Sequence, residues 1–285
     1  MIELIFVIVI MGIIGKFGVE FLAQAYKTFI FSSINNTLQS NSAYSVEFIT
    51  SRLQYRIKDS VIARTAIGGV VVPLADAVGN TYTVLEWIST DMDGFRATSL
   101  PNWSGVIDLD SSSSTTLVSP ETNTTAVGNL IAILSDSGSS IADIGLYFIG
   151  SNSDVLNSFG WSGALTDQSG SIHPVTNTLT PNEFNSSNAS DFTGVDVYEY
   201  YKLVWTANAI VIDSDSNLIF YYDYQPWNGQ TIANAKSSII MQNISTFQFR
   251  ALGSIMKIQV CAQSDIIQGN SGEGGYSLCK EKTIF

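Results

Sequence analysis

Met1-Ile2-Glu3-Leu4-Ile5-Phe6-Val7-Ile8-Val9-Ile10-Met11-Gly12-Ile13-Ile14-Gly15 opens the chain, and the reading of this stretch decides the rest. From Leu4 to Gly15 no side chain is polar. A helix that is apolar on every side belongs inside protein or inside lipid. Yet Glu3 stands at its start. An unpaired carboxylate in hydrocarbon costs roughly 3 kcal/mol or more, so it is retained where a positive charge meets it. The obvious source of that charge is another copy of the same segment. This end is therefore expected to sit in a membrane and also to pack against copies of itself.

Working outward, there is no proline before Pro73. Phe17, Phe21, Leu22, Ala25 and Phe29, and later Ala43, Val46, Phe48, Ile49, Leu53, Ile57 and Val61, keep helical spacing, which predicts one long helix reaching to about Arg64. A membrane span needs about 20 apolar residues. Residues 1–31 suffice, with Lys16, Glu20 and Lys27 accommodated by pairing, snorkelling or position. The rivals are a soluble core helix and a cleavable secretory signal. The signal begins with a positive region, where this chain has Glu3 instead. Gly12, Gly15 and Gly18 each cost about 1 kcal/mol against alanine in a helix, which predicts a local interruption there in the assembled state. Residues 32–66 read as an amphipathic half-helix. Val46, Ile49, Leu53, Ile57 and Val61 pack on a sheet, while Arg52, Arg56 and Lys58 are either solvated or face an acidic partner.

The charge is uneven. Residues 1–64 hold six basic and four acidic side chains, and residues 65–285 hold seven and twenty-one, giving the overall −12. So acidic a head repels phosphates, and no nucleic-acid partner is expected. Only 13% of the residues are charged, and Ser, Thr, Asn and Gly abound, as in exposed extracellular β-proteins. Beyond residue 66 the texture becomes short β-rich runs separated by turn formers. Strands are expected at 82–88, 130–134, 145–149, 195–206, 209–213, 218–224, 239–242, 246–252 and 255–262. Residues 110–125 and 150–194 read as long polar loops. The expected fold class is α+β: a long N-terminal α-helix packed on an antiparallel, β-rich globular head spanning 67–285.

Two cysteines, Cys261 and Cys279, flank a stretch holding Gly269, Gly272, Gly274 and Gly275. They are either a disulfide, which would stabilise by roughly 3 kcal/mol in the chain-entropy model, or two buried thiols. An oxidising compartment follows from the membrane reading and favours the disulfide.

The Ile2-Glu3-Leu4 triplet, the unbroken run Ile5-Phe6-Val7-Ile8-Val9-Ile10 and Gly12 close behind resemble the N-terminal segment of bacterial type IV pilins and type II secretion pseudopilins. The match is close over about the first 25 residues. In that family the mature chain begins Phe-Thr-(Leu/Met)-Ile-Glu-Leu, so Phe-Thr is expected upstream of Met1. A looser likeness lies in Asn243-Ile244-Ser245-Thr246-Phe247 before the last hairpin, which is similar to the larger minor pilins and J-type pseudopilins. The resemblance implies the type IV pilin fold and a C-terminal disulfide loop. It implies that Glu3 pairs with a neighbour's N-terminal amine to set subunit register. It also implies processing by a prepilin peptidase, residence in the inner membrane, and assembly with other pilins on a membrane platform into a surface filament.

Catalytic chemistry finds little support. His173 precedes Pro174 in a Ser-rich stretch and reads as a surface loop residue. No nucleophile elbow, phosphate loop or dinucleotide fingerprint is present, and no cofactor is expected. Asp213-Ser214-Asp215-Ser216-Asn217 has the alternation that opens a calcium loop, but Leu218 stands where glycine belongs and no acid closes it, so a turn is expected. Asp91-Met92-Asp93-Gly94 reads likewise as a turn. Among the Asn-x-Ser/Thr triplets, Asn185 and Asn188 are the exposed-loop candidates for glycosylation. The leading expectation is a filament subunit. The alternative is a membrane-anchored adhesive β-domain, or a minor tip pilin, whose long loops recognise a surface or sugar.

Overall fold

The computed structural model describes residues 2–151, 154–253, 255–264 and 276–285. One helix, α1 (Ile2–Leu53), leads into the head. There follow β1 (Ile62–Arg64), β2 (Val71–Pro73), β3 (Val84–Thr90), the short helix α2 (Met92–Arg96), β4 (Thr116–Val118), α3 (Thr124–Leu134), β5 (Gly145–Phe148), β6 (Ile172–Asn177) and β7 (Glu183–Ser186). The chain continues through β8 (Tyr201–Ile212), β9 (Leu218–Tyr224), β10 (Lys236–Met241), β11 (Ile244–Leu252), β12 (Ile255–Gln263) and β13 (Ser277–Ile284).

The large antiparallel sheet is organised around β8. One edge of that strand pairs with β3, and the other is divided between β5 at Tyr201–Val204 and β9 farther along. The sheet therefore forks, continuing through β6, β7 and β4 on one branch and through β10 on the other. Alternation along the strands feeds separate cores. Leu85, Trp87, Ile210 and Phe220 point toward α1, where they meet Val46, Ile49 and Leu53. Val84, Ile88, Ala207 and Ala209 point the opposite way, toward Phe159, Trp161 and Trp227. A third core gathers Val127 and Ile131 of α3 against Leu146, Phe148, Tyr201 and Leu203. The second sheet, β11-β12-β13, closes over the C-terminal half of α1 through Phe247, Ile258, Val260 and Ile284.

Several expectations need correction. The helix ends at Leu53, not near Arg64. Beyond it the backbone is captured by the sheet: Ile57 N–H donates to Ile88 O at 2.9 Å, and Thr90 N–H donates to Tyr55 O at 2.9 Å. Arg56 is buried, and its guanidinium donates to the Leu53 carbonyl at 2.8 Å, adding to the bond that this carbonyl takes from Arg56 N–H at the helix C-terminus. Ile57 and Val61 are core residues, as their spacing suggested, but they lie outside the helix. Residues 130–134 belong to α3 rather than to a strand, because the Asn123 side chain caps the helix by accepting from Ala126 N–H and Val127 and Ile131 share its buried face. The strands expected at 195–206 and 209–213 merge into one continuous β8, which begins only at Tyr201 and ends at Ile212. The polar stretches 110–125 and 150–194 contain β4, β6 and β7. The last residues form β13, in register along β12, with Cys261 opposite Cys279 and the two disulfide-bonded. The glycines between them lie outside the described residues.

Candidate assembly surface

The first half of α1 projects from the head. Leu4 is 69% exposed and Phe29 is 70% exposed, and every large apolar side chain from Leu4 to Phe29 is uncovered. The helix is long and apolar enough to cross a membrane, and none of its apolar window is buried in the protein. A soluble core helix is thereby excluded for the single chain. Farther along, Leu38, Val46, Ile49 and Leu53 are buried in the head. The sequence explains the change. Up to Gly15 the helix has no polar face. From Ser32 onward most Ser, Thr, Asn and Gln side chains occupy the outer side and leave one mainly apolar stripe to pack, with the small Ser42 and Ser45 buried beside it.

The interruption expected at Gly12, Gly15 and Gly18 concerns the packed assembly. In the single chain, helix runs unbroken through all three, and nothing lies within 4 Å of the position a Cβ would take at any of them. Lys16 and Glu20 pair at 3.9 Å across one helical turn. Glu3 has no ion-pair partner among the described residues; Met1 and the side chain of Ile2 lie outside them. Leu4, Ile5, Phe6, Val7, Ile8, Val9 and Ile10 surround the helix with apolar surface above Glu3.

The basic strip behaves differently from an acid-facing patch. Arg52 lies over the rings of Phe48 and Phe220, Arg56 caps its own helix, and none of Arg52, Arg56 and Lys58 forms an ion pair among the described residues. The helix–head ion pair runs the other way, from Lys282 of β13 to Glu47.

The remaining candidates fall apart from one another. Asp213 occupies the β8–β9 hairpin, where its Oδ1 accepts from the N–H groups of Asp215 and Asn217 at 2.9 and 2.8 Å. Its Oδ2 accepts from the Asn217 side chain, so the carboxylate folds onto its own turn. Asp91 caps α2, buried, accepting from Gly94 N–H and Trp103 Nε1; loss of solvation raises its pKa to about 6 against those bonds. Among the described residues no group of three His, Cys, Asp or Glu side chains is placed to hold a metal ion. Asn185 and Asn188 are half-buried rather than exposed. Asn185 lies within β7 and accepts from Thr116, and Asn188 donates its amide hydrogens to the Asp167 and Leu165 carbonyls. Glycan attachment at Asn188 would replace one amide hydrogen and so remove at least one of those bonds. His173 is likewise corrected: it is 3% exposed, on β6, beside Phe148.

Sequence reading missed two polar clusters. Glu86 is fully buried, receiving Arg64 Nε at 2.5 Å and Tyr224 Oη at 3.0 Å. Burial pushes its carboxyl above the usual range, with Arg64 and Tyr224 pulling back. The alternation of β3 marked residue 86 as inward-facing and could have flagged it. The second cluster surrounds His173, and Ser-rich surroundings hid it.

No protein-family profile, no curated protein and no solved structure matches this chain.

Proposed function

We propose that the chain is a structural subunit of an extracellular filament of the type IV pilus or pseudopilus kind. Residues 1–31 hold it in the inner membrane before assembly and pack into the filament core afterwards, leaving the head at the cell surface. The observation that carries this reading is one continuous helix with two fates: its second half is built into the head, while its first half is bare, apolar on all sides from Leu4 to Gly15, and headed by Glu3, which has no ion-pair partner among the described residues. Because lipid already covers these side chains, moving them into a bundle brings little hydrophobic gain; the roughly 1.5–3 kcal/mol that each large side chain would lose in water instead keeps the helices from leaving lipid or bundle for solvent.

Apolar burial does not choose a stagger, and Glu3 does. A neighbour's N-terminal amine neutralises it only at the matched axial offset, and an unmatched buried charge costs several kcal/mol. The partners on this reading are further copies, other pilins, the membrane assembly platform and a prepilin peptidase. The energy for assembly comes from a separate ATPase. Sheared surface filaments analysed by mass spectrometry should contain this chain. Glu3→Val should remain in the membrane fraction and be depleted from filaments. Normal filament yield and subunit content in that variant would contradict the register role.

A further inference from the structure

A cleft of about 470 Å³ opens between the loops that precede β6 and β8, within the roughly 300–1,000 Å³ of small-ligand sites. Its lining includes His173, Gln168, Asp167, Asp191, Asp196 and Tyr198. It contains no lysine or arginine.

The hydrogen bonds fix what this cleft can offer. Gln168 Nε2 donates to the Pro174 carbonyl at 2.9 Å, an atom that can only accept, so the amide orientation is set. Gln168 Oε1 is then the acceptor facing His173 Nδ1 at 3.3 Å. The ring proton sits on Nδ1, and Nε2 presents a lone pair with no partner among the described residues. Burial holds the His173 pKa down at about 4, so the ring is neutral at ordinary pH.

Some of the donors around the cleft are already engaged, while Ser190 Oγ, which accepts from Gln168 N–H at 3.2 Å, keeps its own hydrogen to offer. Ser169 Oγ donates to Asp167 Oδ1, and Ser151 Oγ donates to the Phe148 carbonyl. The Thr193 backbone N–H donates to Asp191 Oδ1 at 3.0 Å. What remains open is mainly a set of acceptors, His173 Nε2 and the outer carboxylate oxygens of Asp167, Asp191 and Asp196, with the hydroxyls of Ser190 and Tyr198 as the donors beside them. His173 Nε2 is not sealed off among the buried unpartnered polar atoms, so it is open to the cleft and a donating ligand there takes the place of water. The carboxylates are too dispersed to share one metal ion. Tyr198 is 36% exposed at the rim, with Tyr200 and Ile149 also exposed and joined by a bond from Ile149 N–H to Tyr200 O.

We propose that this cleft binds a saccharide, with His173 Nε2 accepting from one hydroxyl at the floor, the aspartates accepting from others, and Tyr198 covering the apolar face of the ring. Several separated acceptors beside an aromatic surface suit a ring that carries several separated donors. A compact ammonium would satisfy one of these acceptors and leave the rest. The proposal holds whether or not the chain polymerises.

His173 is the single histidine of the chain, so its ring nitrogens are assigned without further variants. The full chain, ¹⁵N-labelled at histidine and kept in a polyoxyethylene detergent free of sugar head groups, is titrated with glucose, galactose, mannose and N-acetylglucosamine. Spermidine and calcium chloride are titrated in parallel. At least one saccharide should shift the Nε2 resonance toward its hydrogen-bonded position. Tyr198→Ala, at an exposed position, should weaken that binding about tenfold, and Asp191→Asn should weaken it severalfold, with the unliganded His173 spectrum unchanged. The proposal is overturned if no saccharide moves Nε2 at tens of millimolar. It is equally overturned if only spermidine or calcium does, or if saccharide binding is indifferent to Tyr198→Ala.

Discussion

The two halves of α1 are one helix in geometry and opposites in environment. Ile49 and Leu53 are completely buried, whereas Leu4 and Phe29 are mostly bare. The packed half has a polar outer side and one apolar stripe, so a single head satisfies it. The projecting half has apolar residues all round from Leu4 to Gly15, and no one surface of the same chain can cover it. The lesson is that a helix's own pattern tells how many neighbours it needs. One stripe asks for one partner, and a full apolar circumference asks for lipid or for several helices at once. The carboxylates differ in the same way. Glu86 is buried with Arg64 and Tyr224 already in place, while Glu3 has no partner within the described chain.

The contrast can be broken most forcefully at Ile49. Ile49→Ala should destabilise the head by about 2–5 kcal/mol, since it opens a cavity among Trp87, Phe220 and the second sheet. Ile8→Ala should leave head stability within about 0.5 kcal/mol, because its surroundings hold nothing of the head. Chemical denaturation of both variants in detergent measures the difference, and equal losses would refute the division.

Cys261→Ser with Cys279→Ser comes next. The bond joins β12 to the terminal strand, and its loss should cost roughly 3 kcal/mol. Protease resistance of the C-terminal segment should fall while membrane fractionation stays unchanged. Intact mass without reductant checks the native bond, and two free thiols in protein from the cell surface would contradict it.

A smaller effect tests the cost of burying charge in the head. Asp91 has a folded-state pKa raised to about 6, above its unfolded value near 3.8. The folded state thus takes up its proton more readily than the unfolded state. The stabilisation is complete below the unfolded pKa and is lost as pH rises toward 6, a change on the order of 2–3 kcal/mol. Asp91→Asn keeps an acceptor for Gly94 N–H and should remove that fall between pH 4 and 6. Identical pH profiles for the two proteins would refute the assignment.

Much of this arrangement could be read from residue pattern. The strand at Leu218–Tyr224, the last hairpin and the apolar projecting helix were all legible, because alternation and turn residues agreed locally. The helix end was not. Leu53, Ile57 and Val61 keep helical spacing, and only the tertiary capture of Ile57 by Ile88 and the burial of Arg56 decide against it. β6 was hidden because His173 and Pro174 sit among serines. Its pairing depends on Gly145 across the sheet, where a Cβ would lie 2.5 Å from Ile172 Cγ2. The cleft around His173 was illegible because its residues come from loops far apart in sequence that are brought together by strand pairing and by long-range bonds such as those from Asn188 to Leu165 and Asp167.

On the function proposed above, the projecting half of α1 never faces water in the cell, with lipid covering it before assembly and neighbouring helices covering it after. Ile8→Cys treated with a membrane-impermeant maleimide tests this directly, with Val70→Cys on the exposed head as the reactive control. The account predicts that residue 8 stays unlabelled both in intact membranes and in sheared filaments while residue 70 labels in both. Ready labelling of residue 8 in either preparation would contradict it.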